Sequence, residues 1–173
     1  MNTHVLIYDG FVNFEIMLAT YLMKTQGSII TVGLTSAPVK SYEDFIVLPN
    51  TDINQLKADD IELLIIPGGD MENLKVSLPL ASLIKELDSK QKYIGAICSA
   101  ATLLQHIGIL EGRQHIGNTI NSADLVKVDN NILTAKPNGY VDFAIELGKM
   151  LNIYSDEDDL KETVNFFKYF KNP

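Results

Sequence analysis

The 173 residues are 46% hydrophobic and 21% charged, which suits one well-buried core and is too few for two comfortable domains, so a single domain over 1–173 is expected. A formal charge of −8, with Lys and Arg scattered rather than clustered, tells against nucleic acid as a partner, and no basic amphipathic segment or long apolar run points to a membrane. One cysteine cannot close an intramolecular disulfide, and the opening residues lack the basic flank and apolar core of a signal peptide, so a cytoplasmic setting is expected.

In chain order, His4 to Tyr8 reads as a short strand ending at the turn signal Asp9-Gly10. Phe14, Ile16, Met17, Leu18, Tyr21, Leu22 and Met23 form an apolar stretch of helical length that closes at Gln26-Gly27. Ser28 to Leu34 is rich in β-branched residues and reads as a second strand, so the chain opens β-α-β, the unit of a parallel sheet with the first strand central. Residues 38–49 read as a hairpin or excursion, with Phe45 to Leu48 as its best strand, and 52–57 as a helical turn. Glu62 to Ile66 is a continuous apolar run of the kind buried on both faces in parallel sheets, and it leads into Pro67-Gly68-Gly69-Asp70. Leu80 to Leu87 is an amphipathic helix. Beyond the next strand and helix, Gly108 and the turn at Leu110 to Arg113 lead to a short, extended His115 to Asn118. Leu125 to Val128 and Ile132 to Ala135 flank Asp129-Asn130-Asn131 as a hairpin, and two helices follow, one opened by Asn138-Gly139 and one over 156–170.

The stretch from Lys92 to Leu104 carries the chemistry. Tyr93 to Ile97 is an apolar strand, the residues from Ser99 onward are helical, and the lone cysteine, Cys98, stands at the junction. That is a nucleophile elbow, with the small neighbours Ala96, Ser99 and Ala100 that such a turn requires. The amides of the following helix would face the sulfur, and the helix end would lower the thiol pKa. A cysteine beside an apolar strand is also an ordinary core residue, so other parts of the chain must decide between the two.

Leu63 to Gly69, Ile94 to Cys98, Leu110 to Arg113, and Leu133 to Ala135 followed by Phe143 to Leu147, taken in that order, resemble the ThiJ/PfpI superfamily over nearly the whole chain. This is the class I glutamine amidotransferase-like group that also contains the parkinsonism-associated deglycase. The resemblance implies an α/β fold: a flavodoxin-like three-layer sandwich with a mostly parallel sheet, the cysteine on its elbow, and a first-helix carboxylate, here Glu15, hydrogen-bonded to the sulfur. A glutamate among Phe14, Ile16 and Met17 would be poorly solvated, so its pKa should rise and it should stay protonated and donate a hydrogen bond to the thiolate. Ser99 stands where the family's hydrolases place a histidine, and Asn118 aligns with another histidine, with His115 three residues earlier. An asparagine cannot act as a general base, which tells against a Cys–His dyad.

Gly68 and Gly69, with Ser99, are expected as the site wall or as amide donors to an oxyanion, although Gly-Gly after a strand is equally a plain turn. Asp9 and Asp70 should lie near the same rim, where they would shape substrate preference or cap a helix. No residue spacing calls for a metal or another cofactor. The expected partners are a small-molecule substrate and a second copy of the chain. Family members are usually dimers, and Val12, Phe14, Phe166, Phe167, Tyr169 and Phe170 offer apolar surface for one. The function expected is a cysteine-dependent hydrolase or lyase acting on a carbonyl or amide carbon, of glyoxalase, deglycase or amidase type. The alternatives are a redox-sensing or protective protein that uses oxidation of Cys98, and a regulatory member of the fold without turnover.

Overall fold

The computed structural model describes residues 2–118 and 120–172. Strands β1 (Asn2–Leu6) and β2 (Ser28–Gly33) are joined by helix α1 (Phe14–Lys24), and a separate two-stranded hairpin follows from β3 (Val39–Lys40) and β4 (Ile46–Val47). With β5 (Thr51–Asp52), β6 (Leu63–Ile66), β7 (Tyr93–Ile97), β8 (Val126–Asp129) and β9 (Ile132–Ala135), the main sheet has seven strands in the order β5-β2-β1-β6-β7-β9-β8. Only β8 with β9 pairs antiparallel within it.

The crossovers that parallel pairing requires are helical for the most part. α2 (Glu72–Lys75) and α3 (Leu78–Ser89) lie between β6 and β7, α4 (Ala100–Ile107) follows β7, and α5 (Tyr140–Met150) and α6 (Glu157–Tyr169) close the chain. Gly95 shows how the layers divide. A Cβ there would stand 3.0 Å from Phe143 Cζ and 3.1 Å from Leu147 Cδ2, so this position faces α5, and its neighbours Ile94 and Ala96 point to the opposite face. α1, α5 and α6 pack with one another, whereas α3 and α4 pack on β7 and α4 meets α2. All four residues of β6 are buried, as a strand covered on both faces must be. No helix among the described residues is long and apolar enough to cross a membrane.

The strand expected over His4 to Tyr8 is instead Asn2–Leu6, and the middle of the sheet belongs to β6, with β1 beside it. Ile7 still donates its N–H to the Val32 carbonyl of β2 at 2.8 Å, and Tyr8 is buried beyond that last bond. His115 to Asn118 forms no strand. The amides around it are satisfied singly, Gln114 N–H by Asp129 Oδ2 at 2.8 Å and Ile116 N–H by Thr134 Oγ1 at 2.9 Å.

Candidate active site

The turn after β7 places Cys98 at φ 62°, in the left-handed region that an L-residue occupies only at a cost of roughly 1–3 kcal/mol. Its own N–H is held by the Ala135 carbonyl at 2.9 Å, so β9 fixes the strained turn and the half-buried sulfur sits at the C-terminal edge of the parallel strands. The Ser99 amide hydrogen-bonds to the sulfur.

Glu15, in the first turn of α1, is 2% exposed. Its Oε2 accepts the Gly68 N–H at 2.8 Å, and its carboxyl lies beside the Cys98 sulfur. Gly68 leaves room for both groups. A Cβ on it would lie 2.6 Å from Cys98 Cβ, 2.7 Å from Glu15 Oε2 and 2.8 Å from Cys98 Sγ. Gly69 passes similarly close to another backbone, since a Cβ there would meet the Gly10 oxygen at 2.3 Å. Its peptide is held at both ends by one hydroxyl, Ser99 Oγ, which accepts from Gly69 N–H and donates to Gly69 O, each at 2.9 Å.

Asn118 comes to the sulfur from the irregular segment after α4, its Nδ2 donating to Cys98 Sγ at 3.2 Å. His115 does not. Its ring nitrogens lie 3.0 Å from the Arg113 carbonyl and 3.3 Å from Gln105 Nε2. Asp9 accepts from Lys40 N–H at 2.8 Å and Asp70 from Glu72 N–H at 3.0 Å. Both aspartates line a cleft of about 200 Å³ with Tyr8, Thr35 and Asn73, and Cys98 is not part of that lining. Among the described residues no three His, Cys, Asp or Glu side chains gather as metal ligands would.

Two expectations are corrected here. Gly68 lies against the sulfur and Gly69 against Gly10, but their N–H groups are taken by Glu15 and Ser99 and do not point free at an oxyanion. The thiol pKa is raised rather than lowered: burial pushes it up, Glu15 beside it adds to the push, and the Asn118 amide and Ser99 N–H offset only part. Burial likewise raises the Glu15 carboxyl, against the pull of its bonds to Cys98 and Gly68. Both shifts favour the uncharged forms of these two neighbouring acids. Tyr8 supports this corner, its buried hydroxyl donating to the Pro67 carbonyl at 2.8 Å.

Sequence reasoning passed over Glu43, in the hairpin turn. Its carboxylate accepts Asn13 N–H at 3.1 Å and Phe14 N–H at 3.0 Å, closing the start of α1 in place of Asn13, whose side chain makes no cap bond. The partners are thirty residues apart, and no local pattern announces them.

A mostly parallel α/β sheet with a strained cysteine above its C-terminal edge and a buried carboxyl at the sulfur defines a class, the flavodoxin-like proteins with a cysteine elbow. The chain belongs to the DJ-1/PfpI family, which matches residues 1–150. Protein dj-1beta of Drosophila melanogaster is 26% identical over 164 residues, covering 85% of this chain and 87% of that one. The glutathione-independent glyoxalase DJR-1.2 of Caenorhabditis elegans is 24% identical over 135 residues, 71% of this chain and 73% of that one. The crystal structure of the DJ-1 superfamily protein Atu0886 from Agrobacterium tumefaciens shares the fold with a TM-score of 0.86 at 23% identity, covering 99% of this chain and 100% of that one.

Proposed function

We propose that the protein is a cysteine-dependent enzyme acting on the carbonyl carbon of small aldehydes of the glyoxal class, with Cys98 as nucleophile and Glu15 as the proton carrier. The burial of the Glu15 carboxyl beside the Cys98 sulfur, both packed against Gly68, carries this reading. In the first step the sulfur adds to the aldehyde carbon, the carbonyl electron pair moves to oxygen, and the proton held by the pair passes to that oxygen, giving a hemithioacetal. The Glu15 carboxylate then removes the proton from the sulfur-bearing carbon, whose electron pair moves toward the neighbouring carbonyl as an enediol. Returning that proton to the second carbon, while the hydroxyl proton on the first carbon passes to the second carbon's oxygen, gives a thioester, and water cleaves it to a hydroxy acid and free Cys98.

The other side chain on the sulfur, Asn118, donates a hydrogen bond but cannot protonate a departing amine, so carbonyl isomerisation suits this site better than amide cleavage. The glyoxalase activity named for the nematode relative supports the same choice. Redox sensing would start from the same Cys98 sulfur, and a peroxide titration separates it from aldehyde turnover. For assembly we propose a homodimer. Phe14, Phe166, Tyr169 and Phe170 are exposed, Val12 and Phe167 are half-buried, and Met17 and Tyr21 add further exposed apolar surface on α1. Sedimentation showing a monomer at micromolar protein would reject it.

The test of function is turnover of glyoxal and methylglyoxal followed by proton NMR, beside a panel of amides and a peroxide titration read by mass spectrometry. Hydroxy acid should form with the wild type and be lost with Cys98→Ser and Glu15→Ala. Stoichiometric oxidation of Cys98 by peroxide with no aldehyde turnover would replace this reading with the redox one.

A further inference from the structure

The β3–β4 hairpin is stitched to the loop that leads into α1. Gly10 N–H donates to the Lys40 carbonyl, Tyr42 N–H to the Phe11 carbonyl and Lys40 N–H to Asp9 Oδ1, each at 2.8 Å. From the tip, Glu43 spans the amides of the N-cap Asn13 and of Phe14, the first residue of α1, with both carboxylate oxygens, and Glu15 is the very next residue. A helix start has free N–H groups and a positive end, and both favour a carboxylate near them. We propose that Glu43 is a positioning residue for Glu15: it fixes the helix start that carries Glu15, and its charge withholds the positive end of α1 so that Glu15 keeps the proton needed at the sulfur.

The state of Glu43 fits that part. Burial alone would raise its pKa, but the amides of Phe14 and Asn13, its own amide and the Ser41 hydroxyl together hold it lowered, so it stays anionic. Its charge adds to the upward push on Glu15. The other titratable groups facing Glu15 are Cys98 after β7 and Tyr8 just beyond β1, and burial pushes both upward, away from their charged forms. Helix α5, packed on α1, brings Asp142, which Lys168 neutralises. Glu43 is therefore the anion that sets the field at the start of α1.

The inference rests on the proton-carrier role proposed for Glu15, and its test is kept separate from turnover. Glutamate labelled with carbon-13 at the carboxyl gives a pH titration of Glu15, assigned by its loss in Glu15→Gln. Glu43→Gln, close to isosteric, should move the Glu15 midpoint to lower pH, enough to change its ionised fraction at least roughly twofold on the shoulder of the curve. Glu43→Ala should move it the same way and lower kcat as well, while Glu43→Asp, which keeps the charge, should stay nearer the wild type. A Glu15 midpoint unmoved in Glu43→Gln overturns the inference whatever the turnover. Loss of the proposed aldehyde activity in the wild type, with the midpoint shift intact, would fault the function and leave the coupling of Glu43 to Glu15 standing.

Discussion

Gly68→Ala probes the site where its packing is tightest. The new methyl would arrive 2.6 Å from Cys98 Cβ, 2.8 Å from Cys98 Sγ and 2.7 Å from Glu15 Oε2, all well inside the separation of roughly 3.5–4.0 Å at which such atoms attract. Cys98 Cβ cannot swing aside, because the Cys98 backbone is held at φ 62° by its bond to Ala135. Overpacking of this kind costs about 1–3 kcal/mol. Moving Glu15 Oε2 also breaks the buried bond to Gly68 N–H, for about 1–3 kcal/mol more. The sum, about 2–6 kcal/mol, corresponds to a fall in Tm of roughly 4–24 °C for a chain of this size. Urea unfolding of Gly68→Ala, Cys98→Gly and the double variant forms a cycle, because Cys98→Gly removes two of the three obstructing atoms. A coupling of about 1–2 kcal/mol is expected, with the double variant regaining part of the loss. A Gly68→Ala variant within about 0.5 kcal/mol of the wild type, or a cycle with no coupling, would refute the reasoning.

Three shorter tests follow. Alkylation of Cys98 by iodoacetamide should rise with pH to a midpoint above that of free cysteine, about 8.5, and Asn118→Ala should move it further up because a donor to the sulfur is lost. Ser99→Ala removes both bonds to the Gly69 peptide and should cost about 1–3 kcal/mol in urea unfolding, whereas a merely exposed serine would cost under about 0.5 kcal/mol. His4 is 3% exposed, its Nδ1 has no partner among the described residues, and burial lowers its pKa despite the opposing pull of Asp60. Its contribution is whole above the unfolded pKa of about 6.5 and is lost as pH falls from there through the folded value. The urea midpoint should fall over that window, and His4→Leu should flatten the fall; an unchanged slope would remove His4 from the account.

The sequence made the framework legible where local chemistry decides it. Tyr93–Ile97 appears with the bounds its apolar run suggests, and Asn130 turns the β8–β9 hairpin at φ 53°, as a turn-forming residue between two β-branched runs would. The meeting of Glu15 with Cys98 was legible through the family resemblance and the shared strand edge. What stayed hidden depends on partners remote in the chain or on loss of solvent. The helix start after Cys98 suggested a lowered thiol, but desolvation of the sulfur outweighs the dipole, and burial is not printed in residues 93–104. The Gly68 and Gly69 amides read as free donors because their acceptors, Glu15 and Ser99, lie 53 and 30 residues away. Glu43 was invisible for the same reason.

The groups around the sulfur come from four separate stretches: Glu15 after β1, Gly68 after β6, Cys98 and Ser99 after β7, and Asn118 ahead of β8. The bond from Gly68 to Glu15 closes a loop of 53 residues, and loop closure of that order slows folding. The site therefore assembles only when β1, β6 and β7 already lie side by side. In refolding, a thiol with native reactivity should emerge after helix formation and on the timescale of the last tertiary step, which makes Cys98 an internal clock for completion of the fold. A stopped-flow comparison of far-ultraviolet ellipticity with pulsed alkylation would read that lag directly.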